Sequence, residues 1–147
     1  MHKNNVILDL DGTCANLDHR LPFIKNTPKD WEAFHQACVN DTPIPATRTV
    51  ANLLSRAGYI VHILSGRNDT VLQETVQWLD THGFQYDTLT MRAAGDRRDD
   101  VEVKKEMIAK LGLTPHNTLL VMDDRQRVVD MWRELGFTCH QVNAWKE

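Results

Sequence analysis

The chain has 147 residues, 41% of them hydrophobic and 25% charged, a length that accommodates one domain with a core needing no disulfide or structural metal. Seventeen Lys and Arg against 20 Asp and Glu give a formal charge of −3, which excludes a module that coats nucleic acid and confines any such contact to a local grip. Cys14, Cys38 and Cys139 form no CxxC pair and read as reduced thiols, and no apolar run suits a signal peptide or approaches the ~20 residues of a bilayer span. The expectation is a soluble cytoplasmic domain that meets no membrane.

In chain order the first element is an apolar strand, 6–10. It is followed by an irregular stretch, 19–45, in which Pro22, Pro28, Pro43 and Pro45 surround a short helical segment, 29–39. Thr27 is placed there as N-cap with Pro28 at the first helical position, and Trp31, Phe34 and Cys38 share a predicted face. A helix over 47–57 then leads through Gly58 to a strand at 59–64, a helix over 70–82 through Gly83 to a strand at 88–91, and a helix over 101–111 through Gly112 to a strand at 118–122. In the last helix, 126–135, Val128, Val129, Met131, Trp132 and Leu135 recur on one side, and Gly136 precedes a strand at 138–142. Each glycine stands where a helix ends in a left-handed residue. Four helix–Gly–strand repeats describe βα units, hence an α/β fold with a parallel sheet covered on both faces. The 19–45 insertion is placed to cover a site at the carboxyl edge of that sheet, or else merely packs against the core.

The strand ends carry the chemistry. Asp9 and Asp11 follow the first strand two residues apart, and Asp123 and Asp124 follow the fourth. Carboxylates brought this close repel unless a cation or a proton lies between them, and an all-oxygen set suits Mg²⁺. Ser65, Gly66 and Arg67 end the second strand with a hydroxyl, a backbone N–H and a guanidinium, the means of holding a phosphate. Lys104 and Lys105 open the helix after the third strand, where one of them reaches the same edge as a point charge. The seven histidines include no HxH or HxxxH pair, so a histidine metal site is not expected.

With these motifs the chain resembles the haloacid-dehalogenase (HAD) superfamily of phosphotransferases, through Asp9-Leu10-Asp11-Gly12-Thr13 and Asp123-Asp124. Within it the chain is similar to the 3′-phosphatase domain of phage polynucleotide kinase, through 96–106 (DRRDDVEVKKE), 123–133 (DDRQRVVDMWR), Gly136 and the final Cys-x-Gln-Val at 139–142. The resemblance implies a three-layer Rossmann-like core with a five-stranded parallel sheet and a small, partly helical insertion after the first strand. It implies Asp9 as nucleophile forming an aspartyl-phosphate, Asp11 as general acid/base starting protonated, and Ser65 and Lys104 as phosphate ligands. Arg20, Gly66, Arg67 and Asp100 would serve the substrate, with Asp100 orienting Lys104. Mg²⁺ would lie on Asp9, Asp11 through its backbone carbonyl, Asp123 and Asp124. One extra residue before the lysine leaves Lys105 and Asp99 as alternatives to Lys104 and Asp100.

The function expected is Mg²⁺-dependent removal of 3′-phosphates from DNA or RNA ends or from nucleotides, in nucleic-acid repair. The alternatives are a phosphatase for a free small molecule such as a nucleoside monophosphate, and a catalytically silent module. No GxxxxGK[ST] loop is present, so no kinase activity is expected of this chain. Trp31 and Phe34 are candidates for stacking on a base or for packing the insertion onto the sheet.

Overall fold

A computed structural model describes residues 2–145. In chain order the elements are β1 (Asn5–Leu8), β2 (Ala15–Asn16), α1 (Pro22–Lys25), α2 (Trp31–Gln36), β3 (Thr42–Pro43), α3 (Pro45–Arg56), β4 (Ile60–Asn68), α4 (Leu72–Thr81), β5 (Thr88–Arg92), α5 (Asp100–Leu111), β6 (Thr118–Arg125), α6 (Gln126–Glu134) and β7 (Cys139–Trp145). Five strands form one sheet in the order β5-β4-β1-β6-β7, every pairing parallel.

Strand alternation divides the core between the two faces. Val6 and Leu8 pack with Val61, Ile63, Ala51, Trp78 and Leu79 beneath α3 and α4. Ile7 points the other way and packs with Leu64, Val103, Met107, Val121, Val129 and Trp132 beneath α5 and α6. The result is the expected three-layer α/β arrangement, and each side chain withdrawn from water in these clusters contributes about 1.5–3 kcal/mol. From β1 the chain moves outward to β4 and β5, then returns through α5 to β6 on the opposite side of β1. The topological switch therefore falls between β1 and β6, where open α/β sheets hold their ligands.

Gly58, Gly83, Gly112 and Gly136 follow their helices with φ of 97°, 73°, 68° and 97°, the left-handed conformation expected of them. Several boundaries differ from expectation. β1 ends at Leu8 because the Leu10 carbonyl accepts the amides of Thr13, Cys14 and Ala15 and turns the chain. β4 and β6 run past their apolar segments into Ser65–Asn68 and Asp123–Arg125 with irregular register, since the polar side chains there are held by partners at the sheet edge. The helix expected over 29–39 begins only at Trp31. Asp30, not Thr27, caps it, because the Asp30 carboxylate accepts the Ala33 amide at 3.0 Å. A 3₁₀ turn over Ala37–Asn40 then breaks its period, so Phe34 and Cys38 are buried while Trp31 is 51% exposed instead of sharing their face. The antiparallel β2–β3 ribbon at the root of the insertion, and α1, carry too few residues to show a period. Among the described residues no helix is long and apolar enough to cross a membrane.

Candidate active site

Asp9, Asp123 and Asp124 meet at the switch point, all buried, with one oxygen from each within 4.8 Å of the others. The position of Asp9 follows from the sheet, because its amide donates to the Met122 carbonyl of the neighbouring strand at 2.9 Å. Lys104 reaches in from α5 and donates to Asp9 Oδ1 at 2.6 Å and Asp123 Oδ2 at 3.0 Å. Asp123 is fixed on both oxygens, since Trp132 Nε1 donates to Oδ2 at 3.0 Å and the Asp124 amide to Oδ1 at 2.8 Å. Thr13 Oγ1 lies 3.4 Å from Asp9 Oδ2 and 3.5 Å from Asp124 Oδ1, linking the two.

Three carboxylates and one ammonium leave the cluster short of positive charge. Burial and the charge of Asp123 push the Asp9 carboxyl well above its usual range, and Lys104 opposes them. Burial, with Asp123, pushes Asp124 up to about 6. For Lys104 burial alone would lower the proton affinity, but Asp123 and Asp9 outweigh it and hold the ammonium charged. A surplus of converging anionic oxygens in a dry site fits a hard divalent cation. The glycine of the DxDGT segment is required here: Gly12 has φ +84°, and a Cβ on it would stand 1.9 Å from Asp124 Oδ2.

Asp11 belongs to a separate arrangement. Its Oδ1 accepts from Arg20 Nη2 at 2.6 Å and from Arg67 Nη2 at 2.5 Å. Burial would raise its pKa, but the two guanidiniums win and hold it at about 2. In this state Asp11 is ionised, not protonated as expected, and its carboxylate lies outside the acidic cluster. Both arginines are buried. Arg20 makes two bonds to Asp41, Nε to Oδ1 at 2.9 Å and Nη2 to Oδ2 at 2.7 Å, and lies 4.5 Å over the Phe34 ring. Arg67 donates to Thr75 Oγ1 at 2.9 Å. Asp41, 3% exposed, also receives His19 at 2.6 Å, and its carbonyl accepts Trp78 Nε1 at 2.9 Å.

A family model described as the polynucleotide kinase PNKP phosphatase domain matches residues 3–145. The chain belongs to that family. Two solved structures, of a Pnkp1/Rnl/Hen1 RNA repair complex and of a Pnkp1/Rnl/Hen1 complex, contain chains 33% identical to it. Both superpose with a TM-score of 0.84, over 97% of this chain and 43% of that one in the first and over 99% and 48% in the second. CbbY from Rhodobacter sphaeroides, 11% identical with a TM-score of 0.68 over 97% of this chain and 87% of its own, shares the fold. A Chlorobaculum tepidum protein described as a 5′(3′)-deoxyribonucleotidase is 26% identical over 125 residues, 58% of this chain and 62% of its own length. The chain thus spans about half of the Pnkp1 chains and under two thirds of the curated relative. It is an HAD-type phosphatase domain of the PNKP kind.

In this PNKP-type domain burial separates the two lysines. Lys104 is buried on Asp9, while Lys105 faces solvent near Glu102. Asp99 caps α5 through the Val101 amide and pairs with Arg127. Asp100 does not hold Lys104 as expected. Its carboxylate pairs with Arg92 and, at 2.7 Å, with Arg125. Arg92 Nε in turn donates to the Gly66 carbonyl at 2.8 Å, and a Cβ on Gly66 would meet Asp100 Oδ1 at 2.3 Å. Ser65 is buried at the same edge, its Oγ accepting the Arg67 amide at 3.0 Å. Arg20 and Arg67, expected on the substrate, are instead committed to Asp11 and Asp41, because buried guanidiniums demand carboxylate partners. Sequence reasoning missed Asp41, Arg92 and the Trp132 bond to Asp123. Only Arg92 had a signal, as a cation closing a strand at the site's edge. The buried thiols are inert, with burial and Asp123 pushing Cys139 up to about 12.

Proposed function

We propose that this domain is a Mg²⁺-dependent phosphomonoesterase that removes 3′-phosphates from nucleic-acid ends or nucleotides through an aspartyl-phosphate on Asp9. The observation that carries the reading is Asp9 itself: a buried carboxylate at the switch point, held by Lys104 at 2.6 Å among Asp123 and Asp124. Asp9, Asp123, Asp124 and the Asp11 carbonyl would hold the Mg²⁺, which would neutralise phosphate charge and so lower the barrier to attack by an anionic nucleophile.

Asp9 must be ionised to attack phosphorus; Lys104 opposes the burial and the Asp123 charge that raise its proton affinity, and Mg²⁺ on its carboxylate would supply the rest of the positive charge. Thr13 and Lys104 restrict the carboxylate's orientation, which aligns it for in-line displacement. Lys104, the Ser65 hydroxyl and the Gly66 amide would hold the equatorial oxygens. Asp11 serves proton transfer. An incoming phosphate adds negative charge beside it, offsets Arg20 and Arg67, and raises its proton affinity, so that it takes up a proton from solvent on substrate binding and passes it to the departing alkoxide oxygen, which leaves as a hydroxyl. Returned to its ionised form, it takes the proton of the water that hydrolyses the aspartyl-phosphate.

A second reading, a phosphatase for free nucleoside monophosphates, is favoured by the relative described as a 5′(3′)-deoxyribonucleotidase. A catalytically silent module is disfavoured, because three buried carboxylates facing one another cost stability that a structural role does not require. The test compares phosphate release from 3′-phosphorylated oligonucleotides, 5′-phosphorylated oligonucleotides and free mononucleotides, with and without Mg²⁺. The 3′-phosphorylated oligonucleotide should be turned over fastest and only with metal. Preference for free mononucleotides would replace this reading with the second.

A further inference from the structure

The aromatic rings of the insertion serve two different ends. Phe34 packs: it is 7% exposed and lies beneath the Arg20 guanidinium, one contact from Asp11. Trp31 does not. It meets Phe34 only edge-on, with centroids 5.7 Å apart and planes at 86°, and 51% of it stays in water. The His35 ring lies nearly parallel to Trp31, at 28° with centroids 6.2 Å apart, and also touches Phe34. The two rings form one shelf joined to Arg20 through Phe34. Proximity to the site is marked on His35, which feels the charges of Asp11, Arg20 and Arg67. Lys29 Nζ stands 5.9 Å over the Trp31 ring and has no carboxylate at ion-pair distance among the described residues. On a chain of net charge −3 it sets a positive charge beside the shelf.

We infer that Trp31, with His35 beside it and Lys29 over its ring, is the stacking platform for a base at the 3′-phosphorylated end of a single-stranded nucleic acid. The inference rests on the proposed 3′-phosphatase reading and names how that substrate is gripped. A half-exposed indole offers a base its π-face once the exposed Lys29 side chain above it swings aside, and the displaced ammonium then matches the passing phosphate backbone. Stacking of this kind tolerates every base, so the platform recognises an unpaired end, not a sequence. It also suits a grip of small size, which the acidic composition demanded.

The experiment uses a thymidine hexamer carrying a 3′-phosphate and the same oligomer ending in a tetrahydrofuran residue, which lacks the terminal base but keeps the 3′-phosphate. The wild type should have the lower KM for the base-bearing end. Trp31→Ala should raise that KM roughly 5- to 150-fold, the range of one aromatic–base contact. The loss should appear in KM rather than kcat, since stacking is equal in the bound substrate and the transition state. Trp31→Phe should restore most of it, and the two ends should become equivalent for Trp31→Ala. An unchanged KM in Trp31→Ala overturns the platform while leaving the 3′-phosphatase reading intact. An unchanged KM accompanied by a smaller oligomer on a sizing column assigns Trp31 to a contact between copies and overturns it equally. Failure of the wild type to release phosphate from either end overturns the 3′-phosphatase reading and the platform together.

Discussion

The substitution Asp41→Asn tests the arrangement around Asp11 more severely than replacing Asp11. The amide would keep the side-chain volume and the backbone carbonyl that receives Trp78, but the change removes the carboxylate that takes two bonds from Arg20 and lies 3.5 Å from Arg67. Two buried guanidiniums would then share Asp11 alone. Breaking one side of a buried ion pair costs about 3–5 kcal/mol, a large part of the 5–15 kcal/mol that typically separates folded from unfolded. For a chain of this size it corresponds to a drop in Tm of roughly 6–20 °C. Loss of a neighbouring anion also makes Asp11 harder to protonate, so transfer of a proton to the leaving group slows. The assay is urea unfolding together with kcat for two substrates: a 3′-phosphorylated oligonucleotide, whose alkoxide needs a proton, and p-nitrophenyl phosphate, whose phenolate does not. We expect kcat for the oligonucleotide to fall at least about tenfold further than for p-nitrophenyl phosphate, a small part of the 10²–10⁴ available to general acid catalysis. Unfolding within about 1 kcal/mol of wild type and equal loss on both substrates would refute the role given to Asp41.

Asp9→Asn should abolish turnover while the fold survives; phosphate release by a folded, metal-loaded variant would sink the nucleophile assignment. Metal-free protein should gain stability as pH falls from 7.5 to 5. Asp124, raised to about 6 when folded, binds a proton over a window in which the unfolded carboxyl does not, and stability then grows as pH falls. His35 and His62, both lowered by burial, oppose this, so the measure is the Tm difference between wild type and Asp124→Asn across that range, and Mg²⁺ should abolish it. Gly12→Ala should lose nearly all activity, because its Cβ overlaps Asp124, whereas Gly58→Ala meets nothing within 4 Å among the described residues and should cost only the left-handed backbone strain of about 1–2 kcal/mol, read by thermal unfolding.

The parallel sheet was legible because apolar runs alternated with glycine-ended helices, and local pattern alone fixes such βα units; the strand order, and with it the switch point, was not, since it depends on pairings between distant segments. Asp9 and Asp123 were legible from local pattern too: a carboxylate directly after a buried strand has few places to go. The choice of Lys104 over Lys105 was open to the eye as well. Lys104 follows Val103 and precedes Met107 and Ile108 on the buried face of α5, while Lys105 falls outside it. Asp41 was not legible. Its partners lie 21, 22 and 26 residues away, across an insertion that has no period to read. The state of Asp11 was hidden with it, since a sequence shows a carboxylate but not the two guanidiniums that close on it in space.

The bonds from Arg20 and Arg67 to Asp41 tie together parts of the chain with different histories of constraint. Arg67 sits on the sheet, whereas Arg20 and Asp41 stand at the two ends of the insertion, beside the short β2–β3 ribbon. The insertion is therefore no interchangeable lid. Grafting a covering segment from another member of the family would bring its own surface for substrate, but it would remove Arg20 and Asp41 together, leaving Arg67 on Asp11 alone and Asp11 with one guanidinium in place of two. Transplants that change what the domain accepts must carry both ends of the segment, with the ribbon that sets their spacing, as one piece.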